Sequence, residues 1–329
     1  MDKVCLFSII IPVYNGGRSL YKCLDSIYSQ PIDLESYEVI CVDDSSTLPL
    51  SLEILETYTY KNQRPENLHI AKHIKNKKRG GACNTGVNVA KGRWIVYLDC
   101  DDYFLDKGLV RLSEILFSHE QLDMLVYNYQ NPFRSRCIDN LSLKEMSGNE
   151  FIQTQPVPWV SWCYAFKRQF LVDYQIKYEE NVFFEDCDYV ISAVLCAKRL
   201  QFIDEPILFY SVYEGQTSTI NSAEKVEDLL KLVIRLKYLG QAYVKHNPSS
   251  AQAVWGHQSF LYYNILKRYL WRLSVGDVYR LLKQYNPYDE GGGWLRIVPK
   301  YPLIYVCMAF AMKPFMLAAS KFYRHYIKK

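Results

Sequence analysis

The chain has 329 residues, enough to bury one large core or one core with a helical appendage. Its 39 basic and 35 acidic side chains leave a formal charge of +4, too mild for a protein that works through nucleic-acid electrostatics, so no nucleic-acid partner is expected. The ten cysteines, at 5, 23, 41, 83, 100, 137, 163, 187, 196 and 307, include no Cys-x-x-Cys pair, which argues against a zinc or disulfide framework and for buried thiols in a reducing compartment. The apolar run from Cys5 ends in Pro12-Val13-Tyr14-Asn15, not in a small-residue cleavage site, so a cytoplasmic location is expected.

In chain order, Phe7 to Val13 is a β-branched apolar run of buried-strand length. After the Asn15-Gly16-Gly17 turn, Leu20, Cys23, Leu24, Ile27 and Tyr28 recur at helical spacing. Tyr37 to Val42 is the next strand and stops at Asp43-Asp44-Ser45-Ser46. A third strand is expected over Leu68 to Ile74, then a basic, glycine-bearing loop from Lys75 to Gly81 and a short helix to Lys91. Trp94 to Leu98 is a fourth strand, ending at Asp99-Cys100-Asp101-Asp102. This alternation predicts an α/β domain with a mainly parallel sheet covered by helices on both faces. Two strands therefore end in acidic clusters, at the carboxyl side of the sheet where open α/β folds bind ligands.

Beyond these, a strand is expected over Met124 to Tyr129, an aromatic stretch over Trp159 to Phe166, a helix from Asp186 to Lys198 and strand-like sequence over Phe202 to Tyr213. From Ala223 the pattern turns helical, with Val226, Leu229, Leu230 and Val233 on one face, then Ala251 to Leu273 and Gly276 to Tyr285. The expected domains are residues 1–220, which hold the ligand site, and 221–329, a helical region. Tyr301 to Ser320 is apolar but interrupted by Lys313-Pro314, and a basic end follows, so residues 294–329 read as a segment for an anionic membrane surface or as a helix packed on the domain.

Asp99 and Asp101, two apart in extended backbone, would project to one side and could share a divalent cation; hard carboxylates favour Mn2+ or Mg2+. Ile10-Ile11-Pro12-Val13-Tyr14-Asn15, Val42-Asp43-Asp44-Ser45-Ser46, Asn84-x-Gly86, Leu98-Asp99-Cys100-Asp101-Asp102 and Glu185-Asp186, in that order, resemble the motif set of the family 2 inverting glycosyltransferases of bacterial cell-surface polysaccharide synthesis. The likeness covers roughly residues 4 to 220 and implies a GT-A, Rossmann-like fold. It also implies a metal-dependent transfer of a sugar from a nucleotide diphosphate donor, UDP by preference, to an acceptor hydroxyl; with the C-terminal pattern, a glycan or lipid-linked glycan acceptor at the inner face of the membrane is expected.

By the resemblance Pro12, Val13, Tyr14 and Asn15 line the nucleotide site, Tyr14 stacks on the base and Asp44 bonds the uracil edge. Asn84 and Asp99 complete the nucleotide-sugar site, Asp101 holds the metal and Asp186 is the catalytic base. Read alone, Tyr14 is also a packing residue, Asp43 and Asp44 are turn formers, and Asp186 is a helix N-terminal carboxylate.

The chain departs from the pattern at Ala82-Cys83-Asn84, where many members have Ala-Arg-Asn, which leaves the phosphates to Arg79 or to Lys75, Lys77 and Lys78. Tyr210-Ser211-Val212-Tyr213 also lacks the basic residue often found there. The 28 Tyr and 15 Phe either fill the core or partly stack on sugars. No Gly-x-Gly-x-x-Gly follows the first strand, which excludes a dinucleotide enzyme. The alternative function is a non-catalytic, nucleotide-sugar or glycan-binding subunit of a polysaccharide assembly complex.

Overall fold

A computed structural model describes residues 5–213 and 222–268, together with 276, 277 and 280. Two compact units result, Met1–Gln216 and Thr217–Lys329. Every residue of Phe7–Val13 (β1) is buried, the signature of a strand covered on both faces. Ser19–Tyr28 (α1) buries Leu20, Cys23, Leu24, Ile27 and Tyr28, the five positions its periodicity selects. Tyr37–Asp43 (β2), Pro49–Thr57 (α2), Leu68–Lys72 (β3), Lys78–Val89 (α3) and Trp94–Tyr97 (β4) continue the alternation. Tyr103–Phe104 (β5), Gly108–Ser118 (α4), Met124–Gln130 (β6), Gly148–Thr154 (α5), Tyr164–Lys167 (β7), Arg168–Asp173 (α6), Asp186–Cys196 (α7) and Leu200–Phe209 (β8) complete the first unit.

The eight strands form one sheet in the order β3-β2-β1-β4-β7-β6-β8-β5. The first half is wholly parallel, β1 with β2 and β4 and β2 with β3, whereas β7 runs antiparallel to both neighbours and β5 antiparallel to β8. Register decides where the site lies. Val13 pairs with Asp43, and Asp43 pairs with Lys72, so the next residues of the three strands, Tyr14, Asp44 and His73, leave the sheet side by side. β4 ends on the other flank of β1 and delivers Asp99 to the same end.

Expected boundaries shift in several places, two of them beside the acidic ends of the sheet. Gly80 and Gly81 belong to α3, not to the basic loop, because a Cβ on Gly80 would lie 2.6 Å from the Glu179 carbonyl oxygen. Those glycines are there for close approach and not for turning. β8 stops at Phe209, and Ser211 to Tyr213 turn toward the aspartates after β4 instead of extending the strand.

The second unit is described by Ala223–Tyr243 (α8) and Pro248–Arg268 (α9). Val226, Leu229, Leu230, Val233 and Leu236 of α8 are buried, as are Ala251, Val254 and Ile265 of α9. Gly240 makes room for the indole of Trp255. Among the described residues no helix is long and apolar enough to cross a membrane. The segment 294–329 and most of the helix expected from Gly276 lie outside the described residues.

Many of the described aromatic residues are core: Tyr58, Tyr97, Tyr127, Tyr164, Phe7, Phe151 and Phe166 are all fully buried. Helix α3 meets β1 through Gly86, where a Cβ would come within 2.4 Å of the Ile10 side chain. Gly86→Ala should therefore lower the unfolding free energy by ~1–3 kcal/mol through overpacking. Urea unfolding measures it, and an unchanged midpoint would show that the contact can relax.

Candidate active site

The loop after β1 is short because Asn15 adopts the left-handed region at φ 56°, which asparagine tolerates. Its side-chain oxygen accepts the backbone N–H groups of Thr47 and Leu48, both at 2.8 Å, which staples the β1 loop to the β2 loop. Asp43 Oδ1 accepts the Ser46 N–H at 3.0 Å and acts as a turn former. Pro12 and Val13 are buried in the strand, whereas Tyr14 stands 52% exposed at its end, a ring with an open side. Asp44 is 2% exposed; its Oδ1 lies 2.7 Å from His73 Nδ1 and accepts the Lys77 N–H at 2.8 Å.

Helix α3 carries the central cation. Arg79 Nε donates to Asp99 Oδ1 at 2.6 Å, one terminal nitrogen donates to Asp186 Oδ1 at 2.9 Å, and the other lies 3.3 Å from Ser161 Oγ. The first terminal nitrogen is also 3.6 Å from Glu185 Oε1. One guanidinium thus bridges the end of β4 to the start of α7, using the planar fork that suits arginine to several carboxylates at once. The approach is held by backbone: Asn181 N–H donates to the Lys77 carbonyl at 3.0 Å, and Asn84 pairs with both backbone groups of Tyr178 at 2.9 and 3.0 Å. Of the basic loop, Lys77 pairs with Glu180 and Lys78 lies 3.7 Å from the Phe183 ring centroid, while Lys75 is exposed.

The three aspartates after β4 diverge. Backbone from Asp99 to Asp102 is a turn closed by a 2.9 Å N–H to carbonyl bond, not extended chain, so the shared placement expected of residues two apart does not arise. Asp99 faces Arg79, and Asp101 accepts the Tyr213 hydroxyl at 2.7 Å. Asp102 points inward, where Oδ1 accepts the Ser211 N–H at 2.7 Å. Burial, with the charges of Asp99 and Asp101, pushes the Asp102 carboxyl up to about 9. Among the described residues no three His, Cys, Asp or Glu side chains are grouped to hold an ion by themselves. A magnesium-type ion does not need such a cage, because it takes one or two carboxylates together with substrate phosphates and water. Asp101 fits that mode.

Burial also raises Asp186 above the usual aspartate range, opposed by the Arg79 charge. Its neighbour Glu185, 5% exposed, is pushed up to about 7 by burial and then by the Asp186 charge. A carboxylate made more basic by its surroundings is suited to take a proton near neutral pH.

Of the residues singled out from sequence, the structure gathers Arg79, Asp99 and Asp186 at one point, and sets Tyr14, Asn15 and Asp44 on neighbouring strand ends. Asn84 instead commits its amide to the Tyr178 backbone. His73, Ser161, Ser211 and Tyr213 are contributors that sequence reasoning passes over. His73 lies at the end of the strand expected over Leu68 to Ile74, Ser161 inside the aromatic stretch 159–166, and Ser211 and Tyr213 in the strand-like sequence up to Tyr213, but nothing in the sequence assigns any of them a role.

The Glu185 shift has a pH signature. The folded chain keeps its proton up to about 7, while the unfolded chain releases it near 4.5, so the folded state binds more protons between these values. Stability then falls as pH rises through that window. Glu185→Gln should remove this part of the fall, so that its urea midpoint relative to wild type is higher at pH 7 than at pH 5. A pH-independent difference would refute the shift.

The family model for glycosyl transferase family 2 matches residues 8–178, just over half of the chain. The chain is 30% identical over 208 residues to poly(ribitol-phosphate) beta-glucosyltransferase of Bacillus spizizenii, an alignment covering 62% of this chain and 32% of that enzyme, so it spans about a third of that relative's length. It is 30% identical over 242 residues to an uncharacterized glycosyltransferase of Mycoplasma pneumoniae, covering 69% of this chain and 76% of the relative. Its fold is similar to the crystal structure of an S. aureus TarS fragment in complex with UDP-GlcNAc, with a TM-score of 0.67 and 17% identity over 96% of this chain and 92% of the other. That likeness establishes the GT-A arrangement of sheet and helices, and with the family match it follows that the chain belongs to the family 2 glycosyltransferases.

Proposed function

We propose that the chain transfers a sugar from a UDP-linked donor to an acceptor hydroxyl with inversion, in the synthesis of a cell-surface polymer. The observation that carries this reading is the Arg79 bridge, which brings a carboxylate at the end of the nucleotide-binding half-sheet within one guanidinium of a basic carboxylate on α7. The donor would lie over the ends of β1, β2 and β4, with Tyr14 against the base, Asp44 on its edge and Asp99 on the ribose or sugar. The B. spizizenii relative is named for a β-linked product, the configuration that inversion makes from an α-linked donor, and the S. aureus relative was crystallised with UDP-GlcNAc. The second supports a UDP donor, and the first supports a polymer acceptor of the cell surface.

Asp101 would hold a divalent cation, Mn2+ or Mg2+, jointly with the donor diphosphate. Such an ion stabilises the charge left on the diphosphate. Asp186 takes the proton of the acceptor hydroxyl as the new bond forms, since a neutral hydroxyl is a poor nucleophile. Arg79 and the Ser161 N–H both donate to Asp186 Oδ1, which fixes the carboxylate plane. Contact with the inner membrane face through residues 294–329 belongs to this proposal on the sequence pattern alone.

Transfer to a glycan acceptor, followed by NMR, tests the reading. Asp186→Asn keeps the shape and removes the basicity, so turnover should drop ~10²–10⁴-fold with UDP affinity nearly unchanged. The wild-type product should have the anomeric configuration opposite to that of the donor, and EDTA should stop transfer until manganese is restored. Retained configuration overturns the mechanism, and EDTA-insensitive transfer removes the metal from it.

A further inference from the structure

His73 is the first residue past β3, and its backbone N–H donates to the Asp43 carbonyl at 2.8 Å, which fixes the imidazole beside Asp44. The side chain is 9% exposed and both ring nitrogens are engaged. Nδ1 lies 2.7 Å from Asp44 Oδ1, and Nε2 lies 2.8 Å from the hydroxyl of Thr85 on α3. An ionised carboxylate only accepts, so Nδ1 carries the hydrogen, and the Thr85 hydroxyl holds the opposite edge of the ring. The Lys77 N–H reaches the same carboxylate oxygen at 2.8 Å from the other side. Oδ1 therefore receives two donors, from the end of β3 and from the start of α3.

The second oxygen is different. Asp44 Oδ2 is buried, and among the described residues nothing donates to it. Leaving a buried acceptor unmet is unfavourable, and a ligand N–H at that oxygen would recover the loss. A carboxylate locked through one oxygen, with the other unsatisfied at the end of a nucleotide-binding strand, selects a base edge that offers an N–H, as uracil does.

We infer that His73, braced by Thr85, is a positioning residue that holds Asp44 with Oδ2 aimed at the nucleobase, and so sets base affinity without touching the transferred sugar. The inference rests on the proposed role of Asp44. Without the imidazole, the carboxylate can rotate and satisfy Oδ2 on the protein, and the base loses its acceptor.

A double-mutant cycle on the whole chain, with UDP titrated calorimetrically in the presence of manganese, tests it. His73→Ala should weaken UDP binding ~10-fold, the worth of one hydrogen bond to a charged group. In an Asp44→Ala background the same change should cost less than ~2-fold, because His73 acts only through Asp44. His73→Asn, whose amide can donate to the carboxylate, should recover most of the affinity. Turnover at saturating donor should change little, with the effect falling on the donor KM. If His73→Ala does not fold, His73→Phe, a ring with no donor, takes its place. Wild-type affinity in the His73 variant overturns the inference, as does an equal loss in both backgrounds, which is what a merely structural role would give. GDP and CDP are titrated alongside: if wild type binds one of them in place of UDP, the uracil reading fails, and the cycle repeated with that nucleotide still decides the role of His73.

Discussion

The site depends on a single charge placed where charge is expensive. Arg79 projects from a helix that packs on β1 and β2, and its side chain is only 20% exposed. A guanidinium withdrawn from water is tolerated only when paired and hydrogen-bonded. Asp99 and Asp186 supply the pairing, and in return each carboxylate is drawn to a fixed point. Arg79 on α3, Asp99 in the turn after β4 and Asp186 on α7 come from separate segments, so the electrostatics of one side chain sets the geometry between the carboxyl end of the sheet and α7. Asp186 illustrates the balance: burial raises it and Arg79 lowers it, leaving a carboxylate that is more basic than usual yet held by a cation.

Close packing makes the bridge possible. Gly80, next to Arg79, admits the Glu179 carbonyl at a distance no Cβ would allow, with the Glu185 side chain close beside it. Asn84, a turn further along, holds the Tyr178 backbone through both ends of its amide. Tyr178 in turn stacks on Tyr189 of α7, with ring centroids 3.7 Å apart. Helix α3 and the chain from Tyr178 to Glu185 thus behave as one packed unit, and the guanidinium sits inside it. The second carboxylate group, at Asp101 and Asp102, is organised separately by the segment after β8.

Sequence made the parallel half of the sheet legible because β1, β2 and β4 are mostly apolar runs of strand length and the first helix keeps a clean 3.6-residue period. It also marked the acidic strand ends, where register then places Asp44 and Asp99 at the same end of the sheet, on either side of β1. What it did not reveal depends on contacts between distant segments. Gly80 and Gly81 look like loop residues until the opposing backbone is known. Ser8 and Glu38 look like flaws in buried strands, yet Ser8 donates to Glu38 at 2.6 Å and both receive the Gly92 N–H, closing the far end of the sheet. The Asp99-x-Asp101 pair was expected to act jointly, and the turn from Asp99 to Asp102 sends each to a different partner. In the sequence Arg79 is one basic residue among four; only the fold shows that it is the one committed to two carboxylates.

On the proposed function, Arg79 joins Asp99 and Asp186 into one working site. The most direct test is the transfer rate of Arg79→Met at saturating donor and acceptor, with and without Asp186→Asn. If the arginine acts by orienting the base, Arg79→Met alone should slow transfer by ~10²-fold or more, within the range acid–base groups supply, and adding Asp186→Asn should cost little further. An Arg79→Met enzyme with the wild-type rate, or two losses that multiply as independent effects, would contradict it.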